Sequence, residues 1–396
     1  MTLLIMMLVA PLLLMNLTFL AEVIAGLPLA AREGHQRLSQ KTTIIVPAHN
    51  EARTIKACLD ALVRHAGREF DILVVADNCS DDTATIAAEH GVAVISRKDE
   101  DQRGKGFALA FAREWLRRSP PDAVIVLDAD CRIDRASLTN LAAACLEKKK
   151  PCQAIYLFEP CRTKSPMVQI STFAFLLKNL VRQRGLQRLT GGVHLTGTGM
   201  SVPWNQFEIA DLATSSIVED LRFGIEMSEA GAPPQLIQSS YVWSGHADVG
   251  DTLAQRSRWE GGFLTIARVA GPRMLISGIR RLSIPMTLRG LDLFVPPLAL
   301  LAAMNAVVLL LTTFITVLDL SSWTPPAILA SLGLLMTVAM IVVWWREGRD
   351  FIGVAALLSL PVYALWKVPM YAGLLKKGAP QEWLRTPRPD EKDRGA

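Results

Sequence analysis

The chain carries no charged residue ahead of its first long apolar run. Residues 3–31 are apolar apart from Glu22 and a few small polar groups, and the first basic residue is Arg32. A cleaved secretory leader would place its charge first. The run therefore reads as a retained transmembrane anchor, since about 20 apolar residues cross a bilayer. Paired cysteine motifs are also lacking. Cys58, Cys79, Cys131, Cys145, Cys152 and Cys161 all lie in the middle of the chain with no C-x-x-C among them. That argues against a zinc ribbon or a disulfide frame and for reduced thiols of a cytoplasmic domain. A strong net charge is missing as well. A balance of +5 over 396 residues is too mild for a nucleic-acid binder and fits basic residues lying against membrane lipids. Internal repeats and low-complexity tracts are absent, and residues after about 385 read as disordered by composition.

What is present is unevenly spread. Mean hydropathy is +0.28, high for a soluble protein, yet residues 42–270 read as a soluble α/β region. Thr42–Val46 is a strand that ends in Pro47-Ala48-His49-Asn50-Glu51. A helix follows to about Arg64, and then the strand Phe70–Ala76 ends in Asp77-Asn78-Cys79-Ser80-Asp81-Asp82. Val92–Ile95 is a short third strand, and Gly104-Lys105-Gly106 opens a helix. This rhythm of strand and helix predicts a doubly wound sheet. Farther on, 153–159 reads as a strand, 166–183 as an amphipathic helix, 195–200 as a Gly/Thr loop, 241–243 as a strand and 252–270 as a helix.

The apolar character then returns. Residues 274–291 mix Arg280, Arg281 and Arg289 with apolar groups, the pattern of an amphipathic helix in the interface. Residues 293–318 and 327–345 are two spanning stretches. Their link has no Lys or Arg and should face outward, with Arg32, Arg37, Lys41, Arg346 and Arg349 inside. A third stretch, 351–375, contains Pro361, Lys367 and Pro369. If it crosses the membrane, the tail from Lys376 lies outside; if it turns back, the tail stays inside. The domain division is thus an N-terminal membrane helix (1–31), a cytoplasmic α/β domain (42–270), an interfacial helix (271–292), a membrane domain of two or three spans (293–376) and a tail (377–396).

The chemistry gathers at strand ends. Val124-Ile125-Val126-Leu127 runs directly into Asp128-Ala129-Asp130. In an open α/β sheet, ligands bind outside the carboxyl ends of the strands, and two hard oxygen donors there suit a divalent cation that also meets a diphosphate. The local alternative is a strand followed by an acidic turn. Asp77 closes the second strand, where a carboxylate accepts hydrogen bonds from a base or ribose or simply caps a turn. Lys105 at a helix start offers a cation and free backbone N–H groups to phosphate. Glu219-Asp220 at another helix start complements the helix dipole or supplies a general base. His246 reads as a structural histidine or a metal ligand. Arg258 can pair with phosphate and Trp259 can offer a flat face to a sugar; the bland alternative is a membrane-edge anchor.

Taken in order, Val46-Pro47-Ala48-His49-Asn50-Glu51, Asp77, Gly104-Lys105-Gly106, Asp128-Ala129-Asp130, Glu219-Asp220 and Gln255-Arg256-Ser257-Arg258-Trp259 resemble the membrane-embedded inverting glycosyltransferases of family 2, which have a GT-A fold. The resemblance covers about 42–270, and the last motif is the family's Q-x-x-R-W. It implies a GT-A cytoplasmic catalytic domain, of α/β class, flanked by transmembrane helices. Asp77 would contact uracil, with Pro47 and Glu51 lining the nucleotide pocket. Asp128 would lie at the nucleotide, and Asp130, with Asp128, at Mg²⁺ or Mn²⁺. Lys105 would bind the donor, Asp220 would be the catalytic base, Gln255 and Arg258 would hold the diphosphate, and Trp259 the acceptor end. The loop 196–199 would border the acceptor. Ala76-Asp77-Asn78 departs from the family's usual Asp-Asp-Gly, and Glu382-Trp383-Leu384-Arg385-Thr386 is similar to a C-terminal tryptophan motif of polysaccharide synthases.

The expected activity is metal-dependent hexosyl transfer from a UDP-sugar to a lipid-linked saccharide in exopolysaccharide assembly, at a bacterial inner membrane and without nucleic acid. A processive synthase that also translocates its polymer is the alternative; with so few spans it would have to form a homo-oligomer. A sugar-nucleotide pyrophosphorylase would have no need of Asp220, Arg258 or the membrane helices.

Overall fold

The computed structural model describes residues 2–28, 40–160, 165–245 and 249–378. Cys161, His246, Arg32, Arg37 and the Glu382–Thr386 motif lie outside them. By packing, the described chain divides into two units. One contains residues 2–28, 165–190 and 264–378; the other contains 40–159 and 191–263.

The second unit is built on an eight-stranded sheet. Its strands are β1 (Thr42–Ala48), β2 (Phe70–Asp77), β3 (Ala93–Arg97), β4 (Ala123–Val126), β5 (Cys131–Ile133), β6 (Cys152–Phe158), β7 (Met200–Pro203) and β8 (Gln235–Ser244). The spatial order is β3-β2-β1-β4-β7-β6-β8-β5. The first four are parallel, joined through the helices Ile55–Ala66, Thr83–Glu89 and Lys105–Leu116. β7 is antiparallel to both β4 and β6, so β6 runs with β4 and β1. The carboxyl ends of β1, β2, β4 and β6 therefore share one edge. β1, β4 and β6 are buried throughout, which is why they read as largely apolar runs rather than alternating ones. Ile45, Leu73, Val124 and Val126 pack with Leu109, Leu116, Phe207 and Phe223 beneath the sheet. This is an α/β fold of the GT-A-like kind that the family resemblance implied.

The first unit contains three helices long and apolar enough to cross a membrane: Thr2–Gly26, Leu298–Val317 and Thr324–Gly348, each with mean hydropathy 2.4. Thr2 Oγ1 lies 3.2 Å from Ser321 Oγ, so the start of the first helix and the 319–323 link share one side. Arg184 Nη1 donates to Gly26 O (3.2 Å) and pairs with Glu347 (3.0 Å), which brings the opposite ends of the first and third helices together. Asn16 and Asn305 exchange side-chain hydrogen bonds of 2.6 and 2.8 Å between two of these helices. Residues 351–375 divide at Leu358–Ser359 into the helices Val354–Leu357 and Leu360–Lys377, neither of which is among the three.

Two expectations are corrected. Residues 166–183 were expected within the α/β domain as an amphipathic helix. Pro166–Leu176 is instead buried from Val168 to Phe173 and again at Phe175 and Leu176, and the 165–190 segment packs with the apolar helices. It continues through a π-helical turn, Leu177–Arg182, into Gln183–Thr190. That turn carries Arg182, which pairs with Glu22 (2.7 Å) and Asp292 (2.8 Å). A carboxylate in an apolar helix is expensive unless it finds such a partner, so the conspicuous Glu22 belongs to a buried ion triad. Residues 252–270 are helical as expected, within the longer helix Val249–Arg280. Residues 274–291 were in turn expected as one amphipathic helix. They are the end of Val249–Arg280 and a second helix, Ile284–Asp292, separated by a turn at Leu282, whose φ is +51°. Ser283 accepts from Met286 N and Pro285 occupies the first turn, both favoured at a helix start.

Candidate active site

The site forms at the carboxyl edge of the sheet, where four chain reversals meet. β4 ends at Val126 because Leu127 and Asp128 turn away from the ladder. Leu127 N still bonds Ile45 O (3.0 Å), while Asp128 N donates to Thr198 Oγ1 (3.0 Å). Asp128, Asp130 and Cys131 bring two carboxylates and a thiol within 4.8 Å of one another. Cys131 Sγ donates to Asp130 Oδ1 (3.4 Å), and burial pushes its thiol well up, so the sulfur is protonated. The two carboxylates supply hard oxygen donors of the kind Mg²⁺ and Mn²⁺ take, and the donor set fits such an ion through Asp128 and Asp130.

Lys105 is the first residue of its helix and ion-pairs with Asp128; its Nζ also donates to Gly197 O (2.6 Å). Burial alone would lower its pKa, but the carboxylates of Asp128, Glu219 and Asp220 outweigh that and hold the ammonium charged. Asp220 is the second residue of the helix Glu219–Glu229. A methyl group at Gly197 would lie 3.2 Å from Asp220 Oδ2 and 3.5 Å from Lys105 Nζ. Gly197 has φ +81°, so it serves both the left-handed turn and this close approach. Lys105 and Asp220 thus meet over one glycine. Glu219 is pushed up to about 8, by burial first and then by the adjacent Asp220.

The end of the site expected to take a nucleotide is organised by β2. Asp77 ends that strand opposite Arg97 in β3. Its Oδ1 accepts from Arg97 Nη1 (2.7 Å) and Asn78 Nδ2 (3.2 Å). Its Oδ2 is buried with no hydrogen-bond partner among the described residues. Burial raises the Asp77 pKa against the pull of Arg97. Asn50 and Asn78, following β1 and β2, have φ of +55° and +51°. Asn tolerates that conformation, which explains how Ala76-Asp77-Asn78 turns without the glycine of the family pattern. Asn50 Oδ1 accepts from Ser80 N (2.8 Å), and His49 Nδ1 lies 2.7 Å from Asp77 O, so the two strand-end loops are tied together. Glu51 N donates to Thr83 Oγ1 (2.8 Å), and the Glu51 carboxylate accepts from Thr54 Oγ1. Pro47 is buried within β1, opposite Val75.

Gln255, Arg258 and Trp259 lie on the helix Val249–Arg280. Trp259 stacks on Phe158 at the end of β6 (centroids 6.3 Å, 14°), and the Arg256 guanidinium lies over both rings at 5.4 and 5.8 Å. The structure therefore brings Lys105, Asp128, Asp130 and Asp220 to one place and sets Asp77 beside Arg97. The motif spacing missed Arg97 and Phe158, and it named Thr198 and Arg256 only as members of a loop and a motif, without the contacts they make. Arg97 was within reach, since adjacent parallel strands ending in Asp and Arg bring the two together. Thr198 and Phe158 depend on register that local sequence does not print.

Residues 43–205 match the model described as Glycosyl transferase family 2. The chain is 22% identical over 236 residues to the probable glycosyltransferase YdaM of Bacillus subtilis, covering 56% of this chain and 55% of that one. It is 35% identical over 102 residues to the low-salt glycan biosynthesis hexosyltransferase Agl6 of Haloferax volcanii, covering 25% of this chain and 23% of that one. The alignments thus span about half or less of these relatives. Among solved structures, the mannosyltransferase PcManGT from Pyrobaculum calidifontis, in complex with GDP-Man and Mn²⁺, superimposes with a TM-score of 0.55 at 17% identity, covering 92% of this chain and 98% of that one. That likeness supports the fold.

Proposed function

We propose that this chain is an inverting glycosyltransferase that moves one sugar from a UDP-sugar to a lipid-linked saccharide at the cytoplasmic face of a bacterial inner membrane. The observation that carries the reading is the meeting of Lys105, Asp128 and Asp220 at Gly197. It sets a cation and a carboxylate against one small volume at the sheet edge.

In this reading Asp220 takes the proton of an acceptor hydroxyl. The freed oxygen attacks the anomeric carbon as the bond to the β-phosphate oxygen breaks, and UDP leaves with the electron pair. Single in-line displacement inverts the anomeric centre. Lys105, Gln255 and Arg258 bind the diphosphate and meet its growing charge. Asp128 and Asp130 would hold Mg²⁺ or Mn²⁺, which offsets charge on the leaving diphosphate. The Asp77 side chain has one carboxylate oxygen engaged by Arg97 and Asn78 and one left over. A single acceptor suits uracil, with its one ring N–H, better than guanine, which presents two adjacent donors. Pro47 and Glu51 line the same pocket, and Trp259 with Phe158 gives an aromatic surface for the acceptor saccharide. The three apolar helices and the basic residues beside them fit a multi-pass protein that meets a lipid-linked acceptor in the membrane.

The test is UDP release from a panel of UDP-sugars, with GDP-mannose as the contrasting donor. It uses detergent-purified chain with Mg²⁺ or Mn²⁺, with and without a membrane lipid extract of the host. Release from one UDP-sugar that depends on the extract and leaves a single sugar on lipid supports the reading. A high-mass product formed without extract would mean a processive synthase acting as an oligomer. Preference for GDP-mannose would overturn the assignment of Asp77.

A further inference from the structure

β6 is apolar at most of its positions, with Gln153 as an exception. Gln153 is only 1% exposed, and a buried amide is tolerated where its hydrogen bonds are made. Its bonds converge on one short loop. Oε1 accepts from Thr196 N (2.9 Å); Nε2 donates to Thr198 O (2.8 Å) and, at greater length, to Gly199 O (3.3 Å). A further bond reaches the neighbouring Ala154 O (2.9 Å). The C-terminal end of the loop is also tied to the sheet, with Gly199 N donating to Val126 O and Gly199 O accepting from Ala154 N (both 2.8 Å). The loop contains two left-handed glycines, Gly197 at φ +81° and Gly199 at +61°, and it precedes β7 without forming a helix or strand of its own.

The same four residues touch three members of the site. Gly197 O accepts from Lys105, the Gly197 Cα faces Asp220, and Thr198 Oγ1 accepts from Asp128 N. One buried amide therefore holds the backbone that spaces Lys105, Asp128 and Asp220. Resting on the transfer reading above, we propose that Gln153 is a positioning residue. It fixes the 196–199 loop and, through it, the separation of the Lys105 cation from the Asp220 carboxylate, without touching substrate.

Two variants of the full chain in detergent test this. Gln153→Leu removes every bond to the loop and keeps the side chain apolar. The expected result is faster amide exchange confined to residues 196–199, a fall in kcat of about 10²-fold as expected for a small misplacement of reacting groups, and a UDP affinity within about threefold of wild type. Gln153→Glu sharpens it. A protonated carboxyl has one donor and one acceptor and replaces the bonds to Thr198 O and Thr196 N; an ionised one has no donor. Its kcat relative to wild type should rise as pH falls, while that of Gln153→Leu stays level. Lys105, Asp128, Cys131 and Asp220 face the same loop and titrate in all three proteins, so the ratio isolates position 153. Unchanged exchange, unchanged kcat, or a parallel fall of kcat, UDP affinity and Tm would overturn the proposal. If wild type turned over no nucleotide sugar, the transfer reading would fall, and the exchange pattern would decide the clamp by itself.

Discussion

Two of the clusters of buried charge among the described residues are built for different purposes. Among the apolar helices, Arg182 reaches Glu22 and Asp292 with bonds of 2.7 and 2.8 Å, and its guanidinium lies 5.4 Å from the centre of the Phe19 ring. One planar fork there serves two carboxylates at once, which is what arginine does well. At the sheet edge, Lys105 faces Asp128, Glu219 and Asp220, with Asp130 beside Asp128. Several carboxylates crowd a single ammonium, and Glu219 is pushed up to about 8. A cluster whose only task is packing would shed such an excess, because buried like charges are costly. The first cluster joins one forked cation to two carboxylates, with Glu22 Oε1 left without a hydrogen bond among the described residues. In the proposed function the second keeps acid in reserve for a cation and a proton, as a site of acid–base work does.

The comparison is open to direct attack. The largest effect expected is at the sheet edge: Asp220→Asn should lower transfer by roughly 10³-fold, within the range for loss of a general base, while UDP affinity by calorimetry stays within about threefold. A parallel fall of both would remove Asp220 from the base role. In the helical unit, Arg182→Leu strands two buried carboxylates and should cost about 3–5 kcal/mol, read as a lower unfolding midpoint in detergent. Replacing Glu22 and Asp292 by Gln and Asn in the same protein should restore much of that loss; no restoration would mean that the loss does not come from the stranded carboxylates. Asp130→Ala should abolish the increase in UDP affinity produced by Mn²⁺, and retained metal dependence would move the metal elsewhere. The smallest effect concerns Glu219. Its folded pKa of about 8 exceeds the ordinary 4.5, so its contribution to stability is whole below the ordinary value and is lost as pH rises through about 8. Glu219→Gln should flatten that decline in a pH series of unfolding midpoints.

The two regions were also unequally legible. At the sheet edge, each apolar strand running into acid announced its own end. Val124 to Asp130 and Phe70 to Asp77 located both the fold and the carboxylates, because strand direction fixes where such residues emerge. The partners were less visible. Arg97 meets Asp77 only through the β2–β3 register, and Gln153 reads as an interruption of an apolar strand until the 196–199 loop is folded against it. Among the apolar helices the spans were evident from length alone, but the packing was not. Residues 166–177 are buried nearly all round, so they carry no amphipathic stripe to show what they pack against. Glu22 could be marked as costly, but not matched to Arg182, which stands 160 positions away. Gly26 and Gly185 explain that fit: a methyl group at either would overlap the backbone of Val181 or Glu22. Close helix crossings of this kind are written in small residues.

The central claim is that the acid-rich edge performs a single displacement with Asp220 as base. The most direct measurement is the anomeric configuration of the transferred sugar, read by proton NMR on the product of a defined α-linked UDP-sugar. The account predicts a β-linked product from the first turnover onward. An α-linked product would require a second displacement or a front-side mechanism, and would contradict the role assigned to Asp220.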